Sequence, residues 1–281
     1  MAAAAAPPPA APIGLIAGSG RFPLLIAREA ARQGRPVIAF GVKGWVDAGL
    51  ASQVTSYEEL EVGAVATLLA RLQARGVRHV ILAGKVTKQA LLQPAEVFDA
   101  QARALLTAAP DASVNALLGQ LGRLLAVAGI TLLDSSTFLE ALLCPIGVVT
   151  ARAPSLAEQA DVQAGLGVAR TLAALDVGQT VVVKQRVVVA VEALEGTDAT
   201  IRRAREVAGP GLVVVKAASP AQDRRFDLPV LGCATIDVCR QAGVSCLAVQ
   251  ARLTLLLDKD DLITRADAAG LCVLGVDPTA S

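Results

Sequence analysis

Aromatic side chains are scarce in this chain. One Trp, one Tyr and five Phe among 281 residues leave few rings on which bases could stack, and stacking is the sequence-tolerant part of single-strand recognition. An excess of charge is missing too. Against 26 Lys and Arg stand 25 Asp and Glu, a net charge of +1, so no global field draws in a nucleic-acid backbone. These two shortages argue against nucleic acid as a partner. The one histidine, His79, cannot build a multi-histidine metal site, and any histidine-based triad would have to use it. Cys144, Cys233, Cys239, Cys246 and Cys272 are odd in number and have no C-x-x-C spacing, which favours reduced, buried thiols over zinc or a disulfide framework. No apolar run reaches about 18 residues without a charge, Gly or Pro, so the mean hydropathy of +0.55 does not imply a membrane span. Residues 1–12 are rich in Ala and Pro, without the basic start and apolar middle of a signal peptide. They are expected to form a disordered lead on a cytoplasmic protein.

What is abundant is the small aliphatic side chain: hydrophobic residues make up 54% of the sequence, chiefly Ala, Val and Leu. The length suits two domains, each with its own core. Residues 13–150 alternate short β-rich runs with helical ones, as βαβ units do. Strands are expected at 13–17, 37–40, 79–83 and 130–133, and helices at 23–33, 63–76 and 116–128. This predicts a Rossmann-like three-layer α/β domain. A small, proline-containing stretch at 151–155 reads as a linker. Residues 155–281 then predict a second, mixed α/β domain carrying the catalytic acids. Its strands fall at 180–184, 186–193, 212–215, 245–249, 253–257 and 271–276, with helices at 156–175, 199–207, 235–241 and 259–269.

Chemistry gathers at the strand ends. The stretch Val191-Glu192-Ala193-Leu194-Glu195-Gly196-Thr197-Asp198, directly at the end of the apolar run 187–191, reads together with the later run from Lys216 to Asp227 as a phosphate and metal site. Glu195-Gly196-Thr197-Asp198 alone reads equally as the N-cap of the helix beginning near Ala199. Gly18-Ser19-Gly20, between a strand and a helix, is either an anion-receiving loop or a tight turn. As a dinucleotide fingerprint it fails, because Pro23 stands at the third glycine position and the second strand ends without an acid. Lys85 follows the third strand, either at a ligand edge or simply solvated. In the later loop, Lys216 ends a strand and Asp227 follows Arg224-Arg225-Phe226, an arrangement that can equally be a surface ion pair. Proline at 229 favours extended backbone just before it, which suits a carboxylate held for a hard cation.

Taken together, these residues resemble the UDP-2,3-diacylglucosamine pyrophosphatase family of the lipid A pathway, the form found in bacteria lacking the calcineurin-like hydrolase for that step. The matching residues are 14–20 with Pro23, Gly84-Lys85-Val86, Asp176-Val177-Gly178-Gln179 and 189–198. They continue with Lys216, Gln222, Arg225, Asp227, Pro229, Gly232, Thr235, Gly270-Leu271 and 273–278. The turn Lys184-Gln185-Arg186 departs from the family, which commonly has a glycine there. The resemblance implies magnesium-dependent hydrolysis of UDP-2,3-diacylglucosamine to UMP and 2,3-diacylglucosamine 1-phosphate (lipid X). It also implies a ligand cleft between two domains and a homodimer. On that reading Asp227 holds magnesium or orients the water, with Glu195 and Asp198 as co-ligands. Lys216 and Lys85 take phosphate oxygens, Gly18, Ser19 and Gly20 receive a phosphate or the sugar end, and Thr197 and Thr235 contact substrate. The acyl chains need an apolar groove, and membrane contact is expected to be peripheral. Two rivals stand beside this reading: a nicotinamide-dependent oxidoreductase, and a non-catalytic protein that binds a nucleotide-sugar or lipid.

Overall fold

The computed structural model describes residues 11–85, 97–108, 114–175, 177–218, 223–225 and 228–277. The chain divides into two units, Met1–Leu139 with Asp223–Asp227, and Glu140–Gln222 with Leu228–Ser281.

The first unit is built on five parallel strands, β1 (Ile13–Ala17), β2 (Val37–Val42), β3 (Ser56–Leu60), β4 (His79–Ala83) and β5 (Thr131–Leu132), in the order β3-β2-β1-β4-β5. β1 and β4 are almost wholly apolar and buried, as central parallel strands covered on both faces must be. Helix α1 (Phe22–Arg32) begins with Pro23 in its first turn and buries Ile26, Ala27 and Ala30. Helices α2 (Val65–Ala74), α3 (Ala100–Ala108) and α4 (Val114–Val127) complete the unit. Its main core joins Phe40, Leu68, Leu72, Val80 and Leu125.

Two of these elements were not expected. β3, Ser-Tyr-Glu-Glu-Leu, reads as a polar stretch because it is an edge strand with no fully buried residue, so the alternation that marks a core strand is lost. α3 contains a single buried residue, Ala102, and its amphipathic pattern is correspondingly faint.

The second unit holds β6 (Gly147–Val148), β7 (Thr180–Lys184), β8 (Val187–Val191), β9 (Leu212–Lys216), β11 (Val244–Gln250) and β13 (Cys272–Val276) in the order β6-β13-β11-β9-β7-β8. β13, β11 and β9 run parallel, and the remaining pairings are antiparallel. Two short strands, β10 (Val230–Leu231) and β12 (Leu255–Leu256), pair separately. Alternate valines serve opposite faces. Val181, Val183, Val213 and Val215 pack with Val162, Leu166 and Ala169 of α5 (Leu156–Ala174). Val182 and Val214 pack with residues of α6 (Thr197–Ala208), α7 (Cys233–Ala242) and α8 (Lys259–Ala268). The β7–β8 turn keeps Gln185 and Arg186 at φ of 52° and 64° without glycine. It is held by Asp161 of α5, whose carboxylate accepts from both N–H groups at 3.1 and 2.5 Å.

The expected domain border is displaced. β6 pairs with β13, so residues 140–150 belong with the second unit and not the first. The stretch read as a linker is pinned there as well. Arg152 grips both carboxylate oxygens of Glu158 at 2.9 and 2.8 Å, donates to Gly270 O at 2.8 Å and reaches Ser245 O. In the other direction, Asp223–Arg225 belongs with the first unit although it was expected in the second domain.

Candidate active site

In the first unit, strand order reverses between β1 and β4, the place where open α/β sheets take ligands. Here the two loops are joined to each other. Ser19 N donates to Lys85 O at 3.0 Å, Lys85 N to Ser19 O at 2.9 Å, and Ser19 Oγ again to Lys85 O at 3.0 Å. Gly18 N donates to Ala83 O at 2.8 Å. A Cβ on Gly18 would lie 2.6 Å from Lys85 O, and one on Gly84, at φ +90°, would lie 2.7 Å from the Gly18 carbonyl carbon. The glycines are there for close loop packing. The N–H groups of Gly18 and Ser19 are thus already used within the fold, which favours the tight-turn reading for these two residues. Gly20 sits just beyond at φ +94°.

Beside this junction lies a cavity of about 460 Å³, within the size range of small-molecule sites. Phe40, Val65, Leu68, Phe98, Leu105 and Leu121 help line it, and among the described residues Glu61 and Lys85 are the charged ones of its wall. Such a lining offers desolvation to a hydrocarbon and little to a nucleotide.

A third feature of this unit anchors the segment that precedes Asp227. Asp134 Oδ2 pairs with Arg224 Nε at 2.9 Å, while Ser135 donates to Arg224 O from both N (3.1 Å) and Oγ (2.9 Å). Ser136 donates to Asp134 Oδ1 from N and Oγ, and accepts from Arg224 Nη2 at 3.3 Å. Arg225 pairs with Asp223, whose carboxyl it holds below the usual range. Asp227 itself lies outside the described residues.

In the second unit, Thr197 is the centre of a polar cluster. Its Oγ1 lies 3.0 Å from Lys216 Nζ, 3.1 Å from Thr180 Oγ1 and 3.1 Å from Glu192 Oε1. The other Glu192 oxygen accepts from Gln179 N at 3.2 Å. Helix α6 starts here, two residues earlier than expected. Its N-cap is Gly196, at φ 83° and ψ 165°, a combination open essentially to glycine. Neither Thr197 nor Asp198 caps it. Thr197 is thus freed for the cluster, and Lys216 arrives from the end of β9.

The acids fare differently. Glu195 is engaged by Arg203 at 2.7 Å and Thr200 at 3.3 Å. Its own backbone N–H, then Arg203, hold its carboxyl down to about 2. Asp198 accepts from Thr235 Oγ1 at 3.0 Å. The expected pair of metal co-ligands therefore has separate partners, and no group of three His, Cys, Asp or Glu suited to a metal occurs among the described residues. The structure brings Thr197 and Lys216 together, while Thr235 reaches Asp198. Thr180 was missed as a site residue, because a threonine opening a valine strand gives no signal until the fold pairs β7 with β8, while Glu192 belongs to the stretch 191–198 that the sequence singled out.

The sequence models of the LpxI N-terminal and C-terminal domains match residues 12–142 and 145–274. The chain belongs to the LpxI family. A relative in that family, described as "UDP-2,3-diacylglucosamine pyrophosphatase LpxI" of Caulobacter vibrioides (strain ATCC 19089 / CIP 103742 / CB 15), is 31% identical over 279 residues, covering 95% of this chain and 98% of its own. A solved structure, "Biotin Carboxylase domain of single-chain bacterial carboxylase", aligns with 60% of this LpxI-family chain and 35% of its own, at 18% identity and a TM-score of 0.28. At that score the likeness carries no argument.

Proposed function

We propose that this LpxI-family chain hydrolyses the pyrophosphate of UDP-2,3-diacylglucosamine, adding one water across the phosphoanhydride to release UMP and 2,3-diacylglucosamine 1-phosphate. The observation that carries the reading is the apolar cavity of the first unit, because hydrocarbon is what distinguishes this substrate from other nucleotide-sugars. Each acyl methylene buried there contributes about 0.8 kcal/mol. The joined β1 and β4 loops, and the absence of an acid at the end of β2, stand against a nicotinamide site in the same crevice.

The reaction also needs cations and donors that meet phosphate oxygens and an oxygen nucleophile held in line. Lys216 and Thr197 supply the first need in the second unit, with Lys85 at the rim of the cavity in the first. Asp227 is proposed to supply the second, orienting the water and receiving its proton. Among the described acids Glu195 and Asp198 do not fit a magnesium cage, since they are otherwise engaged. Magnesium enters from the family resemblance as a requirement to be tested, as do the homodimer and a peripheral contact with the membrane. Among the described residues no helix is long and apolar enough to cross a membrane.

The deciding experiment measures UMP release from the acylated UDP-sugar with and without chelator, on the wild type and on Asp227→Ala. Chelation is expected to stop turnover and magnesium to restore it. Asp227→Ala is expected to lower kcat a hundredfold or more, about 3 kcal/mol on the barrier, while substrate still binds. Near-normal kcat in the folded variant would remove Asp227 from the chemistry. Shortening the acyl chains should weaken binding about fourfold per lost buried methylene. Affinity independent of chain length would exclude the cavity as the acyl site.

A further inference from the structure

The Thr197 cluster has one hydrogen-bonding solution. A hydroxyl carries one hydrogen and two acceptor sites, an ionised carboxylate only accepts, and an ammonium only donates. Thr197 must therefore give its hydrogen to Glu192 Oε1, 3.1 Å away, and receive one from Lys216 Nζ at 3.0 Å. Its remaining acceptor site is then filled by Thr180, whose hydroxyl lies at 3.1 Å and is fully buried. Glu192 is fixed in turn by accepting from the backbone of Gln179 at 3.2 Å. If Glu192 were replaced by a group that donates, Thr197 would accept there and turn its hydrogen to Thr180 instead, reversing that bond.

From this geometry we infer that Glu192 is a positioning residue for the reaction: by fixing the direction of the Thr197 hydroxyl it holds the Lys216 ammonium where a phosphate oxygen meets it. The inference rests on the proposed pyrophosphatase reading. Glu192 lies one residue beyond β8 and Lys216 at the end of β9, on opposite sides of β7, with Thr197 joining them. Its two oxygens answer two different donors. Glutamine has only one oxygen, so Glu192→Gln leaves either Thr197 or the Gln179 N–H without its acceptor while keeping the size of the side chain.

The experiment is a double-mutant cycle in the full chain, read as kcat and KM for UMP release, with thermal melting as the folding control. Glu192→Gln is expected to lower kcat about tenfold with little change in KM. In a Thr197→Val background, which has no hydroxyl to orient, Glu192→Gln is expected to cost almost nothing further. Thr197→Ser, which keeps the hydroxyl, is expected to retain much of the activity that Thr197→Val loses. An equal loss from Glu192→Gln in both backgrounds, or no loss in the wild type, would overturn the positioning role. If Glu192→Gln does not fold, the Ser and Val variants of Thr197 still decide, since equal activity in the two means that the hydroxyl does not act. If Lys216→Ala and Thr197→Val both turn over like the wild type, it is the phosphate assignment of the cluster that falls, and the inference with it.

Discussion

At the scale of single residues, the partners that decide what a side chain can do lie both beside it in the chain and far from it. Gly196 and Thr197 were legible because a glycine and a hydroxyl after a valine run mark a turn into a helix. The fate of Glu195 was not, because Arg203 lies two turns along α6 and closes on it only when the helix forms. Asp161 is a similar case. It lies in α5 with no local hint of function, yet it accepts both N–H groups of the left-handed turn residues Gln185 and Arg186. This explains how the turn dispenses with glycine: the carboxylate offsets a conformation that costs an L-residue about 1–2 kcal/mol. Asp161→Ala is expected to destabilise the fold by about 2 kcal/mol. Adding Arg186→Gly should recover part of that loss. Urea unfolding of the three proteins checks it, and an Asp161→Ala midpoint equal to the wild type's would show that the turn needs no support.

At the scale of elements, the long buried strands and the helices with a clear apolar face were readable to within a few residues. β3, α3, β6 and β10 were not. Each is short, at an edge or poor in buried residues, so its pattern carries little of the periodicity that marks an element. The segment Asp223–Arg225 was unreadable for another reason: its partners Asp134 and Ser135 lie some ninety residues earlier, and neither β5 nor the loop after it announces them. Asp134 is the half of that ion pair with little exposure, 15% against 43% for Arg224. Asp134→Ala is expected to cost about 1–2 kcal/mol of stability and to expose the bonds after Arg224 and Arg225 to trypsin. Limited digestion compares the rates; unchanged protection in the variant would mean that the ion pair does not hold the segment.

At the scale of the whole molecule, two α/β units were legible in the alternation of the sequence, and the border was not. Proline and small residues at 151–155 resemble a linker in composition, but Arg152 makes the stretch part of the second unit's framework. Its guanidinium holds the Glu158 carboxyl down to about 2 from an ordinary value of 4.5. A carboxyl whose pKa falls on folding stabilises the folded state above its unfolded value, and that contribution disappears as the pH drops through the folded one. The wild type should therefore lose stability between about pH 4.5 and pH 2 through this group. Arg152→Ala should be less stable at neutral pH by about 2 kcal/mol, with the gap to the wild type narrowing below pH 4.5. Thermal melts across the acid range test this; a gap independent of pH would assign the effect of Arg152 to its carbonyl contacts alone.

The return of Asp223–Arg225 to the first unit has a consequence for anyone who would take this protein apart. A gene fragment ending near residue 140 encodes all five strands of the first sheet but omits Arg224, so Asp134 and Ser135 are left with no counterpart on the same polypeptide. The complementary fragment carries that arginine away on a loop whose anchoring residues it lacks. Neither border drawn in the linear sequence yields a self-sufficient piece, and the natural way to separate the halves is a permuted gene in which residues 223–225 are spliced behind residue 139.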